Sequence, residues 1–336
     1  MNQYREMAKA ALEAITIHSA TCYSWFGRRS QPLSPRLRSL LPSGSAHVIL
    51  YSMLRQQLYQ DLYCQGVAAP SRPEVDAPPA PTSGPFMEAL SAANAGHGPR
   101  QPGWRVLQVR GERIVVGRDG IRASARREDV VTEEDPNRVI GALVDVRLPK
   151  ELKEAAPGFY LALGDEYLDT MSGTPIVRFY WNLRSNGAEQ LVNAVTTRLN
   201  AQAVPFQLKV LNDAELYRRC DAGVLYVGKR DLGAMSRSLP AIYRSVATQL
   251  KPLTPAFTKR LAPGLGLAEE PSSGGSFGRN RCGLLADGVL RVHREGCRTT
   301  AERLEVVAAC FAARGIDLDA PFLNPGSADE YGFPAI

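Results

Sequence analysis

The chain has 336 residues, 44% of them hydrophobic, which is enough for one large domain or two smaller ones. Its formal net charge is +6, and no basic run carries interleaved aromatic residues, so the composition does not indicate a nucleic-acid-binding protein. No apolar segment approaches the roughly 20 residues of a membrane-spanning helix, and the charged N-terminal segment does not resemble a signal peptide.

The six cysteines and four histidines are scattered along the chain. No CxxC spacing, Walker motif or HExxH motif occurs, so the sequence indicates neither a zinc site, a redox dithiol, a kinase nor a metalloprotease. We therefore expect reduced, mostly buried cysteines in a cytoplasmic protein that uses no metal ion and no organic cofactor.

The first third of the chain divides into two segments. Residues 1–66 contain amphipathic stretches typical of helices. Residues 67–103 contain eight prolines and are predicted to be a linker or a long surface loop. One short helix is expected inside this segment, with Pro85 in its first turn and Gly96 at its end.

A β-rich stretch follows. The alternation in Trp104–Val109 and Arg113–Val116 predicts a hairpin, and a further strand is expected to cover Val139–Leu148. From about residue 158 strands and helices mix: the predicted elements are a strand at Thr174–Leu183, a helix at Ala188–Asn200, strands at Pro205–Leu211 and 222–227, and a mainly helical remainder.

Several residues indicate where helices begin and end. Asn186 and Glu189, and likewise Thr299 and Glu302, have the spacing of a capping box, and Gly315 is placed to close the last helix. The order of elements predicts an α+β fold, in which a mixed, mainly antiparallel sheet is flanked by helices and preceded by a helical N-terminal region. We expect residues 104–336 to form the functional domain.

Alternation places polar side chains on one face of each predicted strand. Arg178, Tyr180 and Asn182 share a face of Thr174–Leu183, and Lys209 shares a face of Pro205–Leu211 with Gln207. A lysine between Leu208 and Val210 is unusual in a chain with seven lysines, although an edge strand also uses lysine to prevent aggregation. Both interpretations of Lys209 stay open at this point.

Arginines cluster near the same segments. Arg218 and Arg219 precede the strand 222–227, while Arg279 and Arg281 follow a glycine-rich loop. The planar guanidinium suits phosphate oxygens, but any single arginine can equally form a surface ion pair.

The glycine-rich loop itself formally matches GxSxG at Gly274–Gly278. A serine hydrolase needs a buried strand directly before this motif, and here the preceding residues AEEPS are polar. The loop, including Ser276, is better suited to bringing its backbone close to a ligand.

Six motifs occur in one order, namely RFYWNL, PFQLKVL, YRRCDAGVLY, LAPGLGLAEEP, SFGRNRC and LNPGSADEYG. Together they resemble the HopA family of type III secretion effectors, over roughly residues 104–330. They are more similar still to the lyase components of split (class V) lanthipeptide and thioamitide synthetases. A weaker resemblance extends to the OspF and SpvC phosphothreonine lyases and their fold.

The resemblance implies a lyase that removes phosphate from phosphoserine or phosphothreonine by β-elimination and leaves dehydroalanine or dehydrobutyrine. It implies Lys209 as the general base and Arg178, Arg219, Arg279 and Arg281 as phosphate ligands. Tyr180 stands where the OspF-type enzymes carry histidine, so it is the first candidate for the general acid, with a rim tyrosine as the simpler interpretation.

Tyr226 is the second candidate for the general acid, and His293 is a minor one. Asn182 and Ser276 complete the set of expected cleft residues. The implied substrate is a precursor peptide, leader and core, phosphorylated by a separate kinase protein that forms a complex with the lyase. No nucleic acid or membrane is expected as a partner.

Two other functions stay open on the sequence. The same chemistry would serve a secreted effector that inactivates a host signalling protein. A protein without catalysis would bind a phosphopeptide or a leader peptide, but such a module needs no base. The sequence also leaves three roles open for residues 1–66, namely docking of a leader peptide, docking of a kinase, or packing against the catalytic domain itself.

Overall fold

The computed structural model describes residues 2–31, 45–66, 84–131, 140–170 and 173–333, together with the single positions 34, 36 and 42. Residues 67–83 of the predicted proline-rich linker 67–103 lie outside the described residues, and its remainder contains a helix and the start of a strand. Helices and antiparallel sheets alternate along the described ranges, which confirms the predicted α+β class.

The N-terminal region combines two helices with a small sheet. Helix α1 (Gln3–Ala14) begins at Asn2, whose side chain accepts a hydrogen bond from the backbone of Tyr4. Strands β1 (Ile15–Ser19), β2 (Cys22–Trp25) and β3 (Arg28–Arg29) follow as an antiparallel sheet, which the prediction of a helical region did not include. Helix α2 (Ala46–Gln57) then continues as a π-helix at Leu58–Tyr63.

Helix α3 (Gly84–Ala93) confirms the short helix expected near Pro85. A five-stranded antiparallel sheet follows it. Its strands are β4 (Arg100–Arg110), β5 (Arg113–Arg118), β6 (Ile121–Arg126), β7 (Val130–Val131) and β8 (Leu143–Arg147). They lie in the order β6-β5-β4-β8-β7. The predicted hairpin is present as β4 and β5. Trp104, Val106, Ile114 and Val116 contribute to a core that is separate from the main one.

The main sheet has seven strands in the order β14-β15-β11-β13-β12-β10-β9, and each of its pairings is antiparallel. The strands are β9 (Glu151–Ala156), β10 (Phe159–Leu163), β11 (Ile176–Trp181), β12 (Phe206–Leu211), β13 (Gly223–Gly228), β14 (Lys259–Ala262) and β15 (Leu265–Glu269). The last two strands lie in the part predicted to be mainly helical, and that prediction was wrong there.

Helices cover both faces of the main sheet. They are α4 (Ala188–Asn200), α5 (Leu232–Val246), α6 (Phe277–Glu295) and α7 (Thr300–Ala312). On one face Trp181 of β11 meets Tyr243 of α5, and on the other Tyr180 meets Phe277 of α6 and Tyr63 of the π-helix. Every residue of β11 is therefore buried.

Of the two predicted capping boxes, one is present and one is absent, and the helices expected to end at Gly96 and Gly315 end at Ala93 and Ala312. Thr299 and Glu302 form the expected capping box at the start of α7. Helix α4 instead begins after Gly187 without a side-chain cap, because residues 185–187 form a 3-10 turn that takes Asn186 out of the cap position.

Candidate functional site

The register of the central strands aligns the predicted catalytic residues. Lys209 of β12 lies opposite Val224 of β13, which lies opposite Tyr180 of β11. Directly opposed residues share a face of an antiparallel sheet, so Lys209 and Tyr180 point to the same side with Cα atoms about 10 Å apart. In the next row Tyr226 is paired with Arg178.

These side chains line a cavity of about 350 Å³ above that face. We call it the lysine cavity, and its walls also include residues of the π-helix, of β10 and of the loop before α6. The lining residues are Tyr59, Tyr63, Pro157, Phe159, Arg178, Tyr180, Lys209, Arg219, Asp221, Val224, Tyr226, Gly275, Ser276 and Arg279. The structure thus brings seven of the nine predicted site residues to one place.

Lys209 has unusual surroundings for a lysine. Its Nζ lies 3.8 Å from the centroid of the Phe159 ring, and none of the described residues forms an ion pair or hydrogen bond with it. Burial lowers the pKa of Lys209; the charge of Asp221 opposes this shift, while Arg219 and Arg178 add to it. A lysine with a lowered pKa has a larger neutral fraction, and the neutral amine is the form that accepts a proton.

Arg178 is held as half of a buried ion pair. Its Nε donates to Glu270 Oε2 at 2.7 Å, its Nη2 lies 2.6 Å from Glu270 Oε1, and Nη2 also donates to the carbonyl of Gly275 at 2.7 Å. The guanidinium lies 5.0 Å from the centroid of the Tyr226 ring. Glu270 therefore occupies the pair of N–H donors through which an arginine binds two phosphate oxygens.

Arg219 has a similar arrangement. It donates from Nε and Nη2 to the two carboxylate oxygens of Asp221, each at 2.8 Å, and from Nη2 to the Tyr59 hydroxyl at 2.9 Å. The negative charge of Asp221 raises the pKa of Arg219 against the effect of burial. Arg219 is therefore fixed in the wall of the cavity as a permanent cation.

Two phenols face the same space. Tyr180 is 2% exposed, and its hydroxyl has no hydrogen-bond partner among the described residues. Burial raises the pKa of Tyr180, although the charge of Arg178 opposes the shift. Burial likewise raises the pKa of Tyr226. Both phenols are thus neutral at physiological pH and able to donate a proton.

Two of the predicted residues lie outside the lysine cavity, and a third lines it from an exposed position. Arg279 lines the cavity from an exposed position, 5.5 Å from the centroid of the Tyr59 ring. Arg281 lies two residues further on α6, so it points away and donates to the carbonyls of Pro321 and Leu323. Asn182 is buried outside the cavity, where it donates to the carbonyl of Leu253.

Ser276 and His293 also have defined places. Ser276 is the N-cap of α6, where its hydroxyl accepts a hydrogen bond from the backbone of Arg279, and it lines the rim of the lysine cavity. His293 lies near the opposite end of α6, away from the cavity.

The sequence reasoning missed several cavity residues. Asp221 and Glu270 neutralise the two arginines, and Tyr59, Tyr63 and Phe159 supply aromatic walls. Asp221 stands two residues after Arg219, and Tyr59 and Tyr63 have helical i, i+4 spacing. The sequence therefore contained a pattern from which each of these pairs could have been found. Gly278 permits the close approach of α6, since a Cβ there would lie 2.5 Å from Tyr63 Cε1.

The described ranges contain no further indication of a metal site, a membrane span or a disulfide. No group of three or more histidine, cysteine or acidic side chains is arranged to hold a metal ion. No helix in these ranges is both long and apolar enough to cross a bilayer. All six cysteines lie in the described part and none forms a disulfide; Cys22, Cys64, Cys220 and Cys282 are buried, as expected.

The model of the HopA1 effector protein family matches residues 151–323, slightly more than half of the chain. No curated protein matches the sequence. An effector protein from Pseudomonas syringae pv. tomato strain DC3000 is 18% identical, with a TM-score of 0.49 over 96% of this chain and 95% of that chain. An effector protein from Pseudomonas syringae pv. syringae strain 61 is also 18% identical, with a TM-score of 0.44 over 82% of this chain and 96% of that chain.

The matched range contains the whole lysine cavity except Tyr59 and Tyr63, which come from the π-helix. The sequence motifs and the family match therefore agree on the part of the chain that carries the site. This chain belongs to the HopA1 effector protein family.

Proposed function

We propose that this protein is a phosphoserine or phosphothreonine lyase that eliminates phosphate from a peptide. One observation carries the proposal: Lys209, which has no acidic partner among the described residues, faces a cavity that Arg178, Arg219 and Arg279 also line. A base of lowered pKa beside fixed cations suits a reaction that removes a proton from carbon and expels an anion.

In the proposed step, the neutral amine of Lys209 takes the Cα proton of the phosphorylated residue. The electrons of the C–H bond form the Cα–Cβ double bond as the Cβ–O bond breaks. Phosphate leaves with the electron pair of that bond, and the residue becomes dehydroalanine or dehydrobutyrine. The reaction consumes no water and needs neither a metal ion nor an organic cofactor.

The arginines and phenols serve the leaving group. Arg178 and Arg219 bear fixed positive charge where the phosphate oxygens would lie, so they stabilise charge that develops on departure. Tyr180, whose hydroxyl is buried without a partner among the described residues, is the proposed donor of a proton or hydrogen bond to the bridging oxygen. Tyr226, stacked against Arg178, is the second candidate.

The proposed substrate is a precursor peptide, leader and core, that a separate kinase has phosphorylated, as in lanthipeptide or thioamitide biosynthesis. This part rests on the sequence resemblance. The family is one of effector proteins, which favours a second candidate substrate, a phosphorylated host signalling protein. Comparing the elimination rates of a precursor peptide and of a phosphorylated signalling peptide distinguishes the two.

The decisive experiment is mass spectrometry of a phosphothreonine peptide incubated with the protein in the absence of ATP and with a chelator present. Elimination removes phosphoric acid, a loss of about 98 Da, whereas hydrolysis by a phosphatase gives a loss of about 80 Da. We expect the larger loss, and we expect its rate to rise with pH because only neutral Lys209 accepts the proton.

Two variants make the experiment specific. Lys209→Arg keeps a positive charge but cannot lose it, so elimination should stop while peptide binding persists. Lys153→Arg is the matched control, because Lys153 is a lysine of the same sheet that is ion-paired to Glu88 and lies outside the cavity. A loss of about 80 Da, or full elimination by Lys209→Arg, would overturn the mechanism. Binding without any mass loss, even with the kinase and leader present, would indicate a binding module.

A further inference from the structure

A second cavity, of about 540 Å³, adjoins the lysine cavity. It lies between α2, the loop 271–276, the first turns of α6 and the segment 314–325. We call it the arginine cavity because Arg55, Arg279, Arg281 and Arg314 line it, with Asp287 as its one carboxylate.

The charges of this cavity are poorly balanced. Arg55 packs over the Tyr51 ring and Arg279 over the Tyr59 ring, and along the described ranges neither of them nor Arg314 forms an ion pair. Burial raises the pKa of Asp287, whereas the charges of Arg314 and Arg294 oppose this shift. The wall therefore has an excess of positive charge.

Arg281 gives independent evidence of an anion site. Its side chain is 1% exposed, yet its three hydrogen bonds go to the carbonyls of Pro321 and Leu323 and to the Asn280 amide oxygen. Buried charges are normally paired with an opposite charge. Burial lowers the pKa of Arg281 to about 10, although the charge of Glu269 opposes this shift, and each of its hydrogen-bond acceptors is neutral.

The two cavities adjoin and share part of their lining. Ser276 and Arg279 line both of them, Gly274 lines the arginine cavity and Gly275 the lysine cavity. Gly274 and Gly275 both have positive φ, and a Cβ at either position would meet no atom within 4 Å. An extended chain advances about 3.3 Å per residue, so a side chain two or three positions away lies roughly 7–10 Å from the reacting residue, a reach suited to two cavities that share Ser276 and Arg279.

We propose that the arginine cavity binds an acidic or phosphorylated side chain of the substrate peptide, two or three residues from the residue that loses its phosphate. The choice of a peptide as the ligand rests on the proposed function, whereas the anion site rests on the arginines themselves. The protein would then prefer peptides with closely spaced anionic residues.

A binding assay tests the proposed anion site without turnover of the peptide. The peptides carry the non-eliminable phosphonate analogue of phosphothreonine, with aspartate, a second phosphonate or asparagine placed two or three positions away on either side. Fluorescence anisotropy gives the ratio of affinities between the anionic and the asparagine peptides. One charge-assisted contact predicts a ratio of about tenfold for the wild-type protein.

The variant Arg55→Gln/Arg314→Gln should bring this ratio close to one. Arg237→Gln is the matched control, since Arg237 is exposed on α5, on the far face of the main sheet, and should keep the ratio. Equal binding of all peptides by the wild-type protein, or an unchanged ratio in the double variant, would overturn the proposal. Selective binding of the phosphonate peptides, together with no elimination of the phosphothreonine peptide in the mass-spectrometric experiment, would refute the lyase mechanism alone. Binding of no peptide would refute both proposals.

Discussion

Replacing Glu270 with glutamine tests whether Arg178 is built to hold phosphate. The Arg178 and Glu270 side chains are 7% and 29% exposed, and two short contacts join them. Glutamine keeps the shape and one acceptor oxygen but removes the negative charge. The buried guanidinium then lacks its counter-charge and retains the carbonyl of Gly275.

The cost follows from this geometry. Breaking a fully buried ion pair by removing one partner costs about 3–5 kcal/mol. Glu270 is partly exposed and glutamine preserves one hydrogen bond, so we expect a loss of about 2 kcal/mol in the free energy of unfolding. For a chain of 336 residues that unfolds as one unit, that corresponds to a fall in Tm of roughly 3 °C.

Inorganic phosphate should reverse part of this loss. Its oxygens can occupy the place of the carboxylate oxygens on Arg178, and a ligand that binds only the folded state stabilises it by mass action. Thermal unfolding followed by calorimetry, with and without phosphate, should show a larger rise in Tm for Glu270→Gln than for the wild-type protein.

The control for this experiment is Glu305→Gln, which removes an ion pair to Arg5 in which the Glu305 side chain is 72% exposed. It should cost less than about 1 kcal/mol and show the wild-type response to phosphate. If phosphate raises the Tm of Glu270→Gln and of the wild-type protein equally, Arg178 is not a phosphate ligand and the reasoning fails.

Three further outcomes are expected. Lys209→Met should raise the free energy of unfolding at neutral pH by on the order of 1 kcal/mol. Because burial lowers the folded-state pKa of Lys209, the wild-type protein gains stability as the pH rises from that pKa to the unfolded-state value. Urea unfolding should therefore show equal stability of the variant and the wild-type protein above about pH 10.4. Tyr180→Phe should leave Tm unchanged or higher but slow elimination roughly 100-fold, and an unchanged rate would exclude it as the acid. Thr299→Ala should cost about 1 kcal/mol in calorimetry without changing elimination, and an equally stable variant would contradict the cap.

Local rules were sufficient for part of this protein. Strand alternation has a period of two, so the sequence alone put Arg178 and Tyr180 on one face of their strand and Lys209 on the polar face of its own. The capping box at Thr299 and the hairpin between β4 and β5 depend on residues close in sequence, and both were predicted.

Some errors came from helix geometry. Arg279 and Arg281 were assigned together to phosphate, but residues two apart on a helix point in different directions. Only Arg279 faces the lysine cavity, whereas Arg281 lines the neighbouring one. The strands β14 and β15 and the sheet β1–β3 were missed because their short segments show weak alternation, and pairing with distant strands stabilises them.

The sequence by itself determined which side chains share a strand face, because that depends only on backbone geometry. The tertiary structure decided which faces meet. Tyr59 reaches Arg219 across 160 residues of sequence, and Glu270 reaches Arg178 across 92. Such contacts form only when the main sheet and α6 pack together. Burial of their apolar faces brings the π-helix and the loop before α6 over Lys209, and no local preference does so.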